Sequence, residues 1–339
     1  MSDYSAQLKE YGYDRMSVLH AASEADITEM MEDPDVKMKK PHRKLFLAKW
    51  KALVAAAQPA TQPPPPSPPP QQPPLAAVSA KYVAAEKQIR LGQPEDSTHG
   101  VEVLLGVTDA MLAHFYQDPV GAIQREFATH GSAADQENLR CVQHGLQRPG
   151  WSSAATLESL LAHPNATTAK LQAQHVLALR LYTTSSYARI NDPLRRDPPQ
   201  RPHPFAATTL FIDKAIKMLR AVAASLPNAH TALVYWRGMK DLGLTMEFLQ
   251  KGGTEFACLS TSASQEVAVS FAASSLPLVF KFATKDFTSR GANIGWLSVY
   301  PNEQEALYPP LTYLRSVKAE NESIGGMTIL VATVEPVFM

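Results

Sequence analysis

Three short segments in the last third of the chain carry side chains suited to chemistry: Arg237 in Leu233-Val234-Tyr235-Trp236-Arg237-Gly238, the run Ser260-Thr261-Ser262, and the two acids of Pro301-Asn302-Glu303-Gln304-Glu305. An arginine grips a phosphate through two parallel hydrogen bonds, which lysine cannot copy. Gly238, having no side chain, lets a flat ligand come close to the backbone. Taken by itself Arg237 reads equally as an edge-strand cation in a salt bridge. Alternation along a strand puts Ser260 and Ser262 on one face. Ser262-Ala263-Ser264-Gln265 also reads as a capping box for a helix running through Phe271, with Ser262 capping and Ser260 left for the site. Glu303 and Glu305 are two apart, so on a strand both carboxylates project to one side. One can then hydrogen-bond a ribose hydroxyl and stabilise positive charge as a glycosidic bond breaks, while the other orients or deprotonates an acceptor. Their closeness predicts a raised pKa for one of them. In isolation the pair reads rather as two solvated turn carboxylates.

The elements that must position these groups are legible as pattern. From about Ala232 onward, strand-like runs dominate: Leu233–Trp236, Phe256–Leu259, Leu278–Phe282, Gly295–Val299, Glu305–Tyr308 and Thr328–Val334. They are rich in β-branched and aromatic residues and separated by Gly, Asn, Asp or Pro. Residues 78–180 have mainly helical periodicity, through Val101, Leu104, Leu105, Met111 and Leu112, then Val120, Ile123 and Phe127. A helix from Phe205 to about Ala224 presents Phe211, Ile212, Ile216 and Leu219 to a core. The proline-rich stretch Asp192 to Pro204 before it reads as an exposed loop. Helices followed by a strand-rich half give an α+β class.

The segment Ala178 to Asn191, then Pro193-Leu194-Arg195, contains Tyr182-Thr183, Tyr187 and Asn191 followed by a Leu-Arg pair. Together with the ordered arginine, serine-threonine-serine and Glu-x-Glu, it resembles the toxin-like arginine-specific mono-ADP-ribosyltransferases of the arginine-serine-glutamate class, over about residues 150–339. The resemblance implies an ADP-ribosyltransferase fold, with a helical N-terminal part and two packed antiparallel-rich sheets around an NAD cleft. It implies that Tyr182, Tyr187 and Asn191 face NAD, that Arg237 lies at its phosphate or nicotinamide ribose, and that backbone at Gly238 binds the nicotinamide amide. It further implies that Ser260 holds the catalytic Glu305, that Tyr300 and Glu303 recognise the acceptor, and that Phe271 keeps the family's aromatic at that point. Read from its own stripe with Val267 and Ala268, Phe271 is as well a core residue. Glu rather than Gln at 303 implies an arginine acceptor. The implied reaction transfers ADP-ribose from NAD, as substrate, to protein arginine with loss of nicotinamide. An NAD glycohydrolase and a non-catalytic interaction protein are the alternatives. No Gly-x-Gly-x-x-Gly follows a strand, which disfavours a dinucleotide-binding dehydrogenase.

Three regions are expected: residues 1–55 a small helical unit, 56–77 a proline-rich linker, and 78–339 the transferase domain, divided into a helical lead-in (78–175) and a catalytic core (176–339). Residues 59–74 are mostly proline, an extended spacer or a ligand for SH3-like domains. The first region, with Leu8, Gly12-Tyr13-Asp14, Leu19, Ser23-Glu24, Asp26-Ile27 and Pro41-His42-Arg43, resembles a sterile alpha motif (SAM) domain that lacks most of the first helix. Its charges are segregated, with six acids and no base over residues 24–35 and seven bases and no acid over 37–51. That is either two solvated faces or the head-to-tail self-association which the resemblance implies. Lys+Arg and Asp+Glu both number 32, so net charge gives no argument for nucleic acid or an acidic membrane surface. Cys141 and Cys258 are too few and too far apart for a disulfide framework, and His99, His114, His130, His144 and His163 lack metal-ligand spacing, so no metal is expected. With no apolar leader and no run near the ~18 apolar residues of a membrane span, a cytoplasmic location is expected.

Overall fold

A computed structural model of the chain describes residues 80–324 and 326–338. The SAM-like unit, the proline-rich linker and the proposed self-association surface lie outside them. The described part is α+β, with helices leading into a mixed sheet.

Three helices, α1 (Asp109–Gln117), α2 (Pro119–His130) and α3 (Ala133–His144), start on local signals that the sequence carries. Thr108 caps α1 through Met111 N, and Asp118 caps α2 with Pro119 in its first turn. Ser132 and Asp135 form a capping box for α3. Helix α4 (Ala173–Tyr182) is buried from Gln174 to Tyr182, on every side, and sits at the centre of the helical layer. The helical segment does not run on to Asn191. The Thr183 and Thr184 hydroxyls bond back to the carbonyls of Arg180 (2.8 Å) and Leu181 (2.6 Å), and a separate turn, α5 (Tyr187–Asn191), follows. The Asp192–Pro204 stretch is only partly exposed, at Asp192, Arg196–Pro198 and Arg201–Pro202. Leu194 and His203 are buried at its two ends. Helix α6 (Ala206–Ala223) packs Leu210, Phe211, Ile212, Ala215 and Ile216 into the core. Its first amides donate to the Glu126 carboxylate of α2, at 2.6 Å from Ala207 and 3.0 Å from Thr208.

Two further helices, α7 (Met246–Lys251) and α8 (Gln265–Ala272), flank the strands. The strands are β1 (Leu233–Met239), β2 (Gly253–Glu255), β3 (Leu259–Ser262), β4 (Leu278–Thr284), β5 (Ala292–Asn293), β6 (Glu305–Tyr308), β7 (Thr312–Ile324) and β8 (Met327–Val337). All eight belong to one sheet in the order β2-β7-β8-β4-β1-β3-β6-β5, not two packed sheets. The two halves are joined through a single register pair, Trp236 with Ser262. Period-2 alternation explains why β4 and β8 read as continuous apolar runs: Leu278, Phe280, Phe282, Leu330, Ala332 and Val334 enter one core with Phe248 of α7. Val279, Ile329 and Val331 enter another with Ala272 and Val269 of α8. The strand expected over Phe256–Leu259 starts only at Leu259. That expected over Gly295–Val299 is instead a tight helical turn, Gly295–Leu297, held by the Asn293 side chain accepting from Gly295 N at 3.1 Å.

Candidate active site

Where β1, β3 and β6 meet, the register sets Trp236, Ser262 and Glu305 in one row across three strands. A cleft of about 500 Å³ opens there, large enough for a nucleotide-sized ligand. It is lined by Tyr182, Tyr187, Asn191, Arg237, Gly238, Ser260, Phe271, Tyr300, Glu303 and Glu305, every site residue expected from the sequence. Trp236, Thr183, Thr184, Ser185, Thr261, Ser262, Val267 and Ala268 complete the wall. The sequence signal for Trp236 was its place beside Arg237. For the Thr183–Ser185 turn it was the run of hydroxyl residues where the helix had to end.

Glu305 opens β6 and is 6 % exposed. Burial pushes its carboxyl up to about 7; the Ser260 hydroxyl, hydrogen-bonded to it, and the Arg237 charge pull the other way, while the Glu303 charge adds to the rise. Glu303 is also raised, by burial. Desolvation, rather than the closeness of the two acids, is thus the principal cause for both. Nor do the two share a strand. Glu303 ends a helical turn, Pro301–Glu303, and Gln304 has φ 47°, a left-handed turn that brings both acids to the cleft from different elements. Ser262 fixes this turn by donating from its hydroxyl to the Glu303 carbonyl at 2.7 Å. The cap of α8 is accordingly Ser264, whose hydroxyl accepts from Val267 N at 3.2 Å, with Ser262 two residues too early for that task.

Arg237 donates from Nη1 to the Ser260 carbonyl at 2.6 Å, so its hydrogen-bond partner among the described residues is a carbonyl and not a carboxylate. Its pKa is lowered by burial and then by the Arg195 charge, while part of the side chain faces the cleft. Arg195 itself is engaged: both its Nε and Nη2 lie 3.2 Å from the Glu255 carboxylate. Gly238 has a second reason to lack a side chain. A Cβ there would stand 1.8 Å from the Ala268 carbonyl oxygen and 2.8 Å from Ala272 N, so only glycine lets α8 lie on β1.

The aromatic residues divide by role. Tyr187 and Phe271 are 51 % and 52 % exposed at the cleft. Phe271 is therefore not a core residue. Tyr182 is buried; its phenol donates to the Cys258 carbonyl at 3.1 Å and accepts from Asn191 Nδ2 at 3.0 Å. Asn191 Nδ2 also reaches the Cys258 carbonyl at 3.1 Å, and its buried Oδ1 has no partner. These two residues thus brace the strand that presents Ser260 while touching the cleft. Among the described residues no group of His, Cys, Asp and Glu is placed to hold a metal ion.

A family model for NAD:arginine ADP-ribosyltransferases matches residues 122–332, more than half of the chain. The chain is similar to ecto-ADP-ribosyltransferase 5 of Rattus norvegicus, 28 % identical over 177 residues that cover 50 % of this chain and 54 % of that protein. Its similarity to the Mus musculus protein of the same name has the same identity and coverage. The chain therefore spans about half the length of the curated relatives it matches. Among solved structures it is similar to the eukaryotic mono-ADP-ribosyltransferase ART2.2 (16 % identity, TM-score 0.45, covering 68 % of this chain and 89 % of that one). It is similar also to HopU1 of Pseudomonas syringae (17 % identity, TM-score 0.41, covering 60 % and 97 %). The cleft, its residues and the matched span bring the chain into one group: it belongs to the NAD:arginine ADP-ribosyltransferase family.

Proposed function

We propose that this chain is a mono-ADP-ribosyltransferase that passes ADP-ribose from NAD to a protein arginine. The observation that carries this is Glu305, buried at the floor of the cleft and hydrogen-bonded by Ser260, with Arg237 and Glu303 lining the same space. NAD supplies the glycosidic bond that breaks, with positive charge building on the ribose as neutral nicotinamide departs. The ionised Glu305 carboxylate stabilises that charge, in a site where water no longer screens it. Ser260 keeps the carboxylate on its bearing. Arg237 binds phosphate, the exposed rings of Tyr187 and Phe271 close on flat groups, and Asn191 holds the Tyr182 phenol and the Cys258 carbonyl in place behind them. Tyr300 stacks on the acceptor guanidinium. Glu303, whose carboxylate is made more basic by its burial, orients that group and takes the proton it sheds as the new carbon–nitrogen bond forms. Since Glu303 is only half-buried, water also reaches the reacting carbon, and slow NAD hydrolysis accompanies transfer.

The reading extends to the parts that surround the site. Residues 1–55 act as a SAM-like module that self-associates through its acidic and basic segments, and 56–77 as a linker. A reducing, cytoplasmic setting is supported by two buried, unpaired cysteines, Cys141 and Cys258; among the described residues no helix is long and apolar enough to cross a membrane. The exposed Asn165, in Asn165-Ala166-Thr167, provides a check: a glycosidase-sensitive form of the cellular protein would contradict that setting.

The activity is tested by incubating purified protein with NAD and agmatine. The expected product is ADP-ribosyl-agmatine with one nicotinamide released per transfer. Nicotinamide release with no labelled agmatine would establish a glycohydrolase instead, and failure to bind NAD would remove the catalytic reading altogether.

A further inference from the structure

Arg180, in the last turn of α4, is 1 % exposed and is not among the residues lining the cleft. None of its hydrogen-bond partners is a carboxylate. Nη1 donates to the Leu297 carbonyl, Nη2 donates to the Ser153 carbonyl at 2.8 Å and reaches the Ser153 hydroxyl at 3.4 Å, and Nε has no partner. Burial pulls its pKa down to about 10. A guanidinium taken out of water without a counter-ion is an expensive way to fill space that leucine or methionine would fill without loss. What the guanidinium provides and a hydrocarbon does not is a rigid fork that ties together two carbonyls far apart in sequence.

Leu297 ends the turn Gly295–Leu297, and the next six residues carry Tyr300 and Glu303 to the cleft. This segment is held at both ends. At its far end Ser262 binds the Glu303 carbonyl. At its near end Arg180 grips Leu297, the Thr183 hydroxyl accepts from Val299 N at 3.1 Å, and the Val299 carbonyl accepts from Ser152 N at 2.9 Å. His163 stacks on Trp296 in the same turn, with ring centroids 4.5 Å apart. Between these ends the ties are local: Tyr300 N to Ser298 Oγ at 3.0 Å and Glu303 N to Tyr300 O at 3.1 Å.

We infer that Arg180 is a positioning residue for the acceptor: by pinning Leu297 it sets where Tyr300 and Glu303 stand, and so how ADP-ribose divides between a guanidinium and water. The inference rests on the transferase reading given above. It separates two functions of one cleft. The NAD-facing groups Arg237, Ser260 and Glu305 sit on strands whose register does not pass through Arg180, whereas the acceptor-facing groups hang from the segment that Arg180 holds. Loosening the segment leaves NAD bound and cleavable but delivers the acceptor badly.

Arg180→Lys and Arg180→Gln test this, with NAD and agmatine kinetics measured beside hydrogen exchange of residues 293–304. Lysine keeps the charge but has no fork to span both carbonyls; glutamine loses the charge as well. The expected result is a rise of about tenfold in KM for agmatine for Arg180→Gln, as for loss of a charge-assisted tether, with a smaller rise for Arg180→Lys. The hydrolysed share of NAD should rise in step, KM for NAD should stay within about twofold, and exchange should quicken over 297–303 but not over 233–239. His163→Ala, which loosens the same turn from a half-exposed position, should shift the agmatine KM in the same direction, and it carries the test if the Arg180 variants do not fold. Lower thermal stability with unchanged agmatine KM and unchanged partition would overturn the inference, leaving Arg180 a structural residue. An equal rise in both KM values would overturn it too, by showing an effect on the whole cleft. If wild type labels no agmatine, it is the transferase reading that fails. The exchange data then decide Arg180 separately, with quickening confined to 297–303 supporting the tether and uniform quickening refuting it.

Discussion

Glu305→Gln should make the protein more stable at alkaline pH while abolishing its chemistry. The carboxyl is buried, and its pKa stands at about 7 against an ordinary 4.5. The folded state therefore binds this proton more tightly than the unfolded chain does. The stability so gained is fully present below pH 4.5 and is lost as pH rises through 7. At about 1.4 kcal/mol per pH unit, the gap corresponds to about 3 kcal/mol at pH 8. Glutamine has the same shape and still accepts the Ser260 hydrogen bond, but never ionises. The variant should thus exceed wild type by up to about 3 kcal/mol at pH 8, or roughly 6–12 °C in Tm for a domain of this size, and match it near pH 4.5. Glu126 is likewise raised to about 7 and contributes the same sign, so the difference between variant and wild type, and not the raw slope, isolates Glu305. Urea unfolding followed by tryptophan fluorescence at several pH values reads this directly. A variant no more stable than wild type at pH 8 would show that the carboxylate is well solvated and that the electrostatic argument for the site is wrong. In the proposed mechanism the same ionisation governs catalysis, so the wild-type rate should climb roughly tenfold between pH 6 and 8.

Gly238→Ala forces a Cβ onto the Ala268 carbonyl. It should cost about 1–3 kcal/mol by overpacking and raise KM for NAD, since displacing α8 also displaces Phe271; denaturation and kinetics on one preparation check both. Glu255→Gln strands the Arg195 guanidinium and removes a charged acceptor from Ala257 N. A loss of about 3 kcal/mol is expected for breaking such a buried pair, measured by chemical denaturation at pH 7. His175 and His203 are both held down near pH 4 by burial, opposite in sign to Glu305. Their contribution is complete above pH 6.5 and lost as pH falls through 4, so NMR titration of the folded protein should find both rings neutral at pH 5.5.

The residues that line the cleft were more legible in the sequence than the geometry that brings them there. Arg237, Ser260, Glu303 and Glu305 were each weak signals alone and were marked by their order, together with the upstream Tyr182–Asn191 segment, through the family resemblance. Strand β6 was found at its true limits, Glu305–Tyr308, and β4 and β8 were found as apolar runs. What failed were the features decided by a single side chain acting on local backbone. Thr183 and Thr184 end α4, Asn293 folds 295–297 into a turn, and Gln304 takes a left-handed conformation that lifts Glu303 off the strand. Periodicity cannot register such events, since each competes with the regular pattern through one hydrogen bond or one dihedral. The single sheet was hidden for another reason. Its halves join through one residue pair, and a pair 26 residues apart in sequence leaves no local trace. Tyr182 and Asn191 were expected at the ligand; their hydrogen bonds to the Cys258 carbonyl, which brace β3, depend on a contact across the fold.

The most direct test of the account runs Glu303→Gln and Glu305→Gln beside wild type, with NAD and agmatine, and counts nicotinamide released against agmatine labelled. Wild type should label agmatine, Glu303→Gln should release nicotinamide with little labelling, and Glu305→Gln should do neither. Undiminished labelling by Glu303→Gln, or sustained NAD cleavage by Glu305→Gln, would contradict the account.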